Sequence, residues 1–313
     1  MPDKIAFLFP GQGSQYVGMG RDLSNAIPGA KEIFDLADTV CDRPISRLCF
    51  EGPMEELTLT VHLQPAITAV SLACLTALSD SAVRPVFSAG HSLGEYAALA
   101  SAGVISPDDA LRLVSKRGEL MHREAQKNPG AMAAVMGLDI HTVDGIVHQA
   151  AEKGILGIAN HNTAEQIVVT GQEEPLARAA ELVKERGGKA IPLKVSGAWH
   201  SPLMREAVED FRRFMNKIPF SRPVSSVLFN ATSEEETDPE RIRDIMARQL
   251  VSPVRWYDII LRMLEEEVDV FVEVGPKKVL SGLLKKILPS DQSVKIYNLE
   301  DANGLRLLLD DLG

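Results

Sequence analysis

A serine flanked by glycines stands between a short apolar run and a helix-forming one. Val86-Phe87-Ser88-Ala89 leads into Gly90-His91-Ser92-Leu93-Gly94, and Glu95-Tyr96-Ala97-Ala98-Leu99-Ala100 follows. Strand, sharp turn and helix, with serine at the apex, is the setting of a nucleophile elbow. This constrains the whole chain. The strand must belong to a sheet, and the turn must open at the sheet's carboxyl edge. A side chain at Gly90 or Gly94 would crowd the turn, and so tight a turn asks for φ/ψ values that other residues resist. Ser92 then stands at a helix N-terminus, where the dipole and free N–H groups favour developing negative charge. The chemistry implied is an acyl-enzyme on Ser92.

The rest of the chain supplies the α/β alternation such a sheet needs. Residues 4–9 and 85–90 read as buried strands, and 28–41 and 65–79 as helices. Ser106-Pro107-Asp108-Asp109 is a strong helix start, with serine as N-cap, proline at the first helical position and acids in the first turn. That helix runs to about Gln126. A different rhythm follows: strand 131–136, helix 141–152, strands 155–159 and 166–170, helix 174–187, strand 189–195. This βαββαβ order is the ferredoxin-like pattern. The expected architecture is a hydrolase-like α/β large domain, residues 1–127 and 197–313, with an inserted ferredoxin-like small domain at 128–196. Helices at 202–217, 238–249, 256–266 and 277–287 and strands at 226–229 and 269–274 complete the large domain.

A serine nucleophile needs a base. His91 adjoins Ser92, but neighbours on an elbow point apart, and its plain reading is a packing residue of the turn. His200, in Gly197-Ala198-Trp199-His200-Ser201-Pro202, lies in the loop leaving the small domain and entering the large one. It is the candidate base. In the helix from 107, Ala110, Val114 and Met121 mark an inward stripe, and Arg117 falls on it. A charge facing a core needs a carboxylate. That carboxylate belongs either to an internal Asp or Glu or to a substrate, whose carboxylate arginine's planar fork grips bidentately. After the first strand, Pro10-Gly11-Gln12-Gly13-Ser14-Gln15 leaves backbone N–H groups free. It lacks both phosphate-loop spacings. Gln12 N–H and Leu93 N–H, the latter from the residue after the serine, make a candidate oxyanion hole.

Composition narrows the classes. The 313-residue chain is 45% hydrophobic and 24% charged, which is ordinary globular composition, and long enough for one large α/β domain or two unequal ones. A net charge of −10 argues against nucleic acid as a partner. No apolar run reaches the roughly 18 residues of a membrane span, so no membrane partner is expected. Met1-Pro2-Asp3-Lys4 lacks the features of a signal peptide. Cys41, Cys49 and Cys74 are odd in number and show no metal spacing. A cytoplasmic protein with reduced thiols and no metal site is the expectation.

These segments together resemble the malonyl-CoA:acyl carrier protein transacylase family, acyltransferases of fatty-acid synthesis. The resemblance runs through Phe9 to Gln15, Gln64-Pro65-Ala66, Ala89 to Tyr96, Arg117-Gly118, Gly130 to Val135, Asn160 to Asn162, Val195 to Met204, Arg248-Gln249-Leu250, Pro253 to Trp256 and Glu273 to Pro276. It covers essentially the whole chain. It implies a ping-pong reaction, with malonyl-CoA acylating Ser92 and the phosphopantetheine thiol of acyl carrier protein taking the malonyl group. Coenzyme A thioester is then a substrate, and no cofactor is implied. His200 would be the base, oriented by a main-chain carbonyl near Gln249. Arg117 would hold the malonyl carboxylate, and Gln12 and Leu93 the oxyanion. Gln64, His91, Asn162 and Val279 would line the acyl pocket.

Two positions depart from the family pattern. Trp199 stands where phenylalanine is usual, at a position associated with excluding an α-methyl branch. His161 stands where Phe or Tyr is usual, and its plain reading is a solvent-facing loop residue. An acidic carrier docking on an acidic chain needs a basic rim, for which Lys189, Lys277, Lys278, Lys285 and Lys286 are candidates. Two other readings fit parts of the pattern. A serine esterase or thioesterase shares the elbow, and the order Ser92…His200 permits its triad. Arg117 speaks against it. An acyltransferase of a polyketide pathway would share the whole pattern.

Overall fold

The computed structural model describes residues 3–313; Met1 and Pro2, part of the N-terminal segment read above, lie outside them. The first strand, β1 (Ile5–Phe9), is buried at every position. Ile5, Phe7 and Phe9 face one apolar cluster and Ala6 and Leu8 another. A strand covered on both faces reads as a continuous apolar run, and parallel sheets are built from such strands. β1 sits at the centre of a five-stranded parallel sheet with β2 (Phe87–Gly90), β7 (Ser226–Val227), β8 (Val270–Val274) and β9 (Lys295–Leu299), in the order β7-β2-β1-β8-β9. Phe9 pairs with Gly90, so the loops after β1 and β2 leave the sheet side by side. That edge carries the site, as expected of the carboxyl ends of parallel strands.

Between β2 and β7 the chain builds a second sheet. β3 (Ala131–Met136), β4 (Leu156–Thr163), β5 (Gln166–Gly171) and β6 (Lys189–Pro192) pair antiparallel in the order β4-β5-β3-β6. Helices Ile140–Ala150 and Glu173–Glu185 cover one face through Val143, Ile146, Leu176 and Leu182. On the other face Met132, Ala134, Ala159 and Val168 join the large cluster. The small sheet therefore turns its bare face toward the strand ends of the large one.

Helix Thr60–Ala77 is 18 residues long and apolar enough, by length and composition alone, to cross a membrane. It is 72% buried in that window, packed between helices Pro28–Cys41 and Pro107–Lys127. The helix Pro107–Lys127 comes close to it, since a Cβ at Gly118 would lie 2.9 Å from Thr60 O. This crossing sets Arg117 beside Gln64.

Several boundaries differ from the sequence reading. The expected strand 155–159 runs on to Thr163, and the expected strand 189–195 stops at Pro192. Polar residues at 160–162 have low strand propensity, and here pairing overrides it. Asn160 and His161 pair with β5, and on the other side Asn160 lies opposite Val254: Val254 N–H donates to Ala159 O at 2.8 Å, and His161 N–H to Val254 O at 2.9 Å. His161 is therefore a buried strand residue, not a solvent-facing loop residue. Helices Arg21–Ala26, Ile45–Glu51, Met54–Leu57 and Ala302–Leu312, and strand β9, have no counterpart in the sequence reading.

Candidate active site

The turn after β2 places the strain elsewhere than its glycines suggested. Gly94 has an ordinary helical φ of −61°, whereas Ser92 itself has φ +53°. The glycines provide room. A Cβ on Gly90 would lie 1.9 Å from Gly94 C, and one on Gly94 2.1 Å from Phe9 O. Ser92 is held in its left-handed conformation from both sides. Its N–H donates to Asn230 Oδ1 at 2.7 Å, and its carbonyl accepts from Gln249 Nε2 at 2.8 Å. Asn230 Nδ2 also donates to Gly90 O at 2.7 Å, which fixes the orientation of that amide.

His200 meets the serine. Ser92 Oγ and His200 Nε2 are 2.7 Å apart. On the far side of the ring, Nδ1 lies 3.0 Å from both Gln249 O and Ser252 O. Two carbonyls accept only, so Nδ1 carries the proton and Nε2 faces Ser92 with its lone pair. Burial, and after it the Arg117 charge, pushes the His200 pKa down to about 3. The ring is neutral at ordinary pH, as a proton acceptor must be. His200 also has positive φ, +56°.

Arg117 is 1% exposed and reaches the same hydroxyl. Nη2 donates to Ser92 Oγ at 3.1 Å, Nη1 to Gln64 Oε1 at 2.9 Å and Nε to Gln249 Oε1 at 3.2 Å. The guanidinium carbon lies 5.9 Å from the centre of the Tyr96 ring. Burial draws its pKa below the ordinary value, with Tyr96 and Glu95 opposing. Among the described residues no carboxylate lies within ion-pair distance of it. The internal salt bridge that the sequence left open is therefore not formed. A buried guanidinium held by neutral amides, one edge on the reactive hydroxyl, is arranged to accept a carboxylate arriving with a substrate.

A cleft of about 100 Å³ opens over these groups. A space of that size admits several waters or the short end of an acyl chain. Gln12, His91, Ser92, Leu93, Arg117, Met121, Trp199 and His200 line it from the large sheet's side. Met132 and Asn160 line it from the small sheet, and Leu193 and Val195 from the segment after β6. The Gln12 and Leu93 main-chain N–H groups have no hydrogen-bond partner among the described residues. His91 Nε2 lies 2.9 Å from Asn162 Oδ1, which orients a ring that burial keeps neutral.

Three predicted lining residues do not line the cleft. Gln64 and Asn162 stand one layer back and hold Arg117 and His91. Val279 begins helix Val279–Ile287 with its side chain outward, 40% exposed, while Leu280, Leu283 and Leu284 take the inward positions. His161 also stays out of the cleft; its ring packs on Tyr257 at 4.9 Å, facing helix Trp256–Glu265. Of the candidate rim, Lys277 Nζ donates to Gly13 O at 3.2 Å beside Gln12, and Lys189, Lys278, Lys285 and Lys286 are exposed. Asn230 and Glu95 were not anticipated. Neither carries a local signal, since their partners lie more than 130 residues away in the chain.

A parallel-sheet α/β protein with a ferredoxin-like insertion, a serine–histidine pair and a buried arginine on the same hydroxyl is an acyl-transfer scaffold rather than a bare hydrolase. The chain belongs to the acyl transferase domain family, whose model matches residues 6–300. More particularly, it is 42% identical to the malonyl CoA-acyl carrier protein transacylase of Bacillus subtilis over 99% of this chain and 97% of that one. The solved acyl carrier protein S-malonyltransferase of Vibrio cholerae superposes with a TM-score of 0.93 at 36% identity, covering 98% of this chain and 100% of the other. A malonyl-transacylase solved with a type II polyketide acyl-carrier protein gives 0.94 at 36% identity, over 99% and 100%.

Proposed function

We propose that this protein moves malonyl groups from malonyl-CoA to the phosphopantetheine thiol of an acyl carrier protein, supplying fatty-acid synthesis. The observation that carries this reading is Arg117, buried, without a carboxylate partner among the described residues, and bonded to the nucleophile's hydroxyl. In the first half-reaction Ser92 Oγ bonds to the thioester carbonyl carbon as its proton passes to His200 Nε2. The carbonyl electrons move to oxygen, where Gln12 N–H and Leu93 N–H accept the charge; one such donor is worth about 2.7–4 kcal/mol. The intermediate collapses, the C–S bond breaks, and coenzyme A leaves with the proton from Nε2. In the second half the carrier thiol gives its proton to Nε2 and its sulfur bonds to the ester carbonyl carbon; the C–Oγ bond then breaks, and Ser92 Oγ leaves with the proton from Nε2. Arg117 exchanges its bond to Ser92 Oγ for the malonyl carboxylate and so fixes the acyl group's far end. Trp199 closes the cleft beside His200 and opposes a branch on the α-carbon. In domain terms, residues 128–196 form the insertion that completes the cleft over residues 1–127 and 197–313.

Intact-mass spectrometry after mixing with malonyl-, methylmalonyl- and acetyl-CoA tests this reading. A single malonyl adduct is expected on the wild-type chain and none on Ser92→Ala. Adding holo-carrier should move the adduct to the carrier. Release of free malonate at the same rate with and without carrier would instead identify a hydrolase. Comparing carriers from fatty-acid and polyketide systems separates those two pathways.

A further inference from the structure

Glu95 opens helix Glu95–Ser101 directly after the nucleophile turn. An acid in a helix's first turn is ordinarily a surface residue answering the dipole. This one is 0% exposed and forms no ion pair among the described residues. Burying a carboxylate is costly unless hydrogen bonds compensate it. Its two oxygens divide the work. Oε1 accepts Asn230 N–H at 2.7 Å, and Oε2 accepts Gln249 Nε2.

Those two partners are the residues that hold the reacting groups. Asn230 grips the Ser92 N–H and the Gly90 carbonyl. Gln249 holds the Ser92 carbonyl through Nε2, Arg117 Nε through Oε1, and His200 Nδ1 through its main-chain oxygen. Gln249 Nε2 therefore serves Ser92 O and Glu95 together. With Oε2 accepting one N–H, Gln249 cannot turn its amide without setting its own oxygen against the carboxylate. That orientation in turn points Oε1 at Arg117.

We propose that Glu95 is a positioning residue for acyl transfer. Its carboxylate fixes the Gln249 side chain and the Asn230 main chain, and through them holds Ser92, His200 and Arg117 in one arrangement. It touches neither substrate nor reacting atom. The inference rests on the malonyl-transfer reading for its substrate but not for its geometry.

Glu95→Gln is the discriminating variant. Its single acceptor oxygen serves one partner, and its NH2 meets the other donor face to face. Misplacement of reacting groups without loss of substrate contacts should lower kcat about 10- to 100-fold. It should do so for both malonyl-CoA and acetyl-CoA loading of Ser92, with the KM for malonyl-CoA changed by less than about threefold. Labelling of Ser92 by a fluorophosphonate, which carries no carboxylate, should slow in parallel. Should Glu95→Gln fail to fold, Glu95→Asp, which keeps both acceptor oxygens but draws them back from Asn230 and Gln249, is read by the same three assays, and a loss on both thioesters is again expected. An unchanged kcat in a folded variant overturns the proposal. So does a loss confined to malonyl-CoA, or a loss that appears wholly in KM. The wild-type chain is loaded alongside, so a failure of malonyl transfer itself is seen separately from a failure of Glu95.

Discussion

Ser92 and His200 both occupy the left-handed backbone region, which costs a residue with a side chain on the order of 1–3 kcal/mol. Surroundings that over-determine the conformation sustain it: the Asn230 and Gln249 side-chain amides on the Ser92 backbone, and the Gln249 and Ser252 carbonyls on the His200 ring. Arg117 is the third member of the set, and on the proposed reading it selects the acyl group. Removing one partner of a buried charged pair costs about 2–5 kcal/mol. Arg117→Ala should therefore lower kcat/KM for malonyl-CoA by about 30-fold or more, at about 1.4 kcal/mol per decade. Acetyl-CoA presents no carboxylate to lose, and its kcat/KM should change far less. Steady-state loading of both thioesters decides it, and equal losses would remove the carboxylate role. Arg117 was legible in the sequence because helical periodicity put a charge on an inward stripe. His200 was legible because it sits in a loop at a domain crossing. Glu95 and Asn230 were not legible: each acts through hydrogen bonds that only the order of strands β7-β2-β1 brings within reach.

At the scale of elements, β4 shows how pairing overrides local preference. Its Asn160-His161-Asn162 segment has the composition of a loop, yet Asn160 enters the cleft, Asn162 holds His91, and His161 points the opposite way. The alternation of a strand sorts the three, which the sequence reading of a loop did not reveal. His161 sits awkwardly on its side. Its Nε2 is buried without a hydrogen-bond partner among the described residues, and Nδ1 is 3.9 Å from a half-exposed Asp258 carboxylate. An unsatisfied buried polar group costs about 1–3 kcal/mol, so His161→Phe should raise Tm. Burial lowers the His161 pKa in the folded chain, with Asp258 opposing. The sign follows. Above pH 6.5 both folded and unfolded chains hold the ring neutral, and below it the unfolded chain gains the proton first. The wild type therefore loses stability relative to the Phe variant as pH falls from 7 toward 5, and the variant's advantage widens. Thermal melts at both pH values measure this. A variant less stable than the wild type at pH 5 would show that the Asp258 pairing outweighs the orphaned nitrogen.

For the whole molecule, the cleft exists because two sheets meet. The parallel sheet delivers Gln12, Ser92 and Asn230 from the ends of neighbouring strands, and the small sheet closes over them with Met132 and Asn160, joined by Leu193 and Val195 from the segment after β6. The cleft takes only a short acyl end, so the rest of a carrier must rest on the outer surface. That surface belongs to a chain of net charge −10, which repels an acidic carrier unless a local basic area receives it. Lys277 Nζ donates to the Gly13 carbonyl, next in the chain to the cleft-lining Gln12. Helix Val279–Ile287 leads away from it for about 12 Å, at about 1.5 Å per residue, and ends in exposed Lys285 and Lys286. A carrier with its prosthetic arm in the cleft can bring an acidic face against that helix. Replacing Lys285 and Lys286 by Glu should raise the KM for the carrier about tenfold at low salt, chiefly through slower association. It should leave the KM for malonyl-CoA unchanged, because Ser92, Arg117 and the cleft are untouched. The difference from wild type should shrink as ionic strength rises and the Debye length falls to about 8 Å at 0.15 M. Carrier titrations at two salt concentrations measure both effects. A carrier KM that does not move in the double variant would take this helix out of the docking surface and leave Lys189 and Lys278 as the remaining exposed candidates.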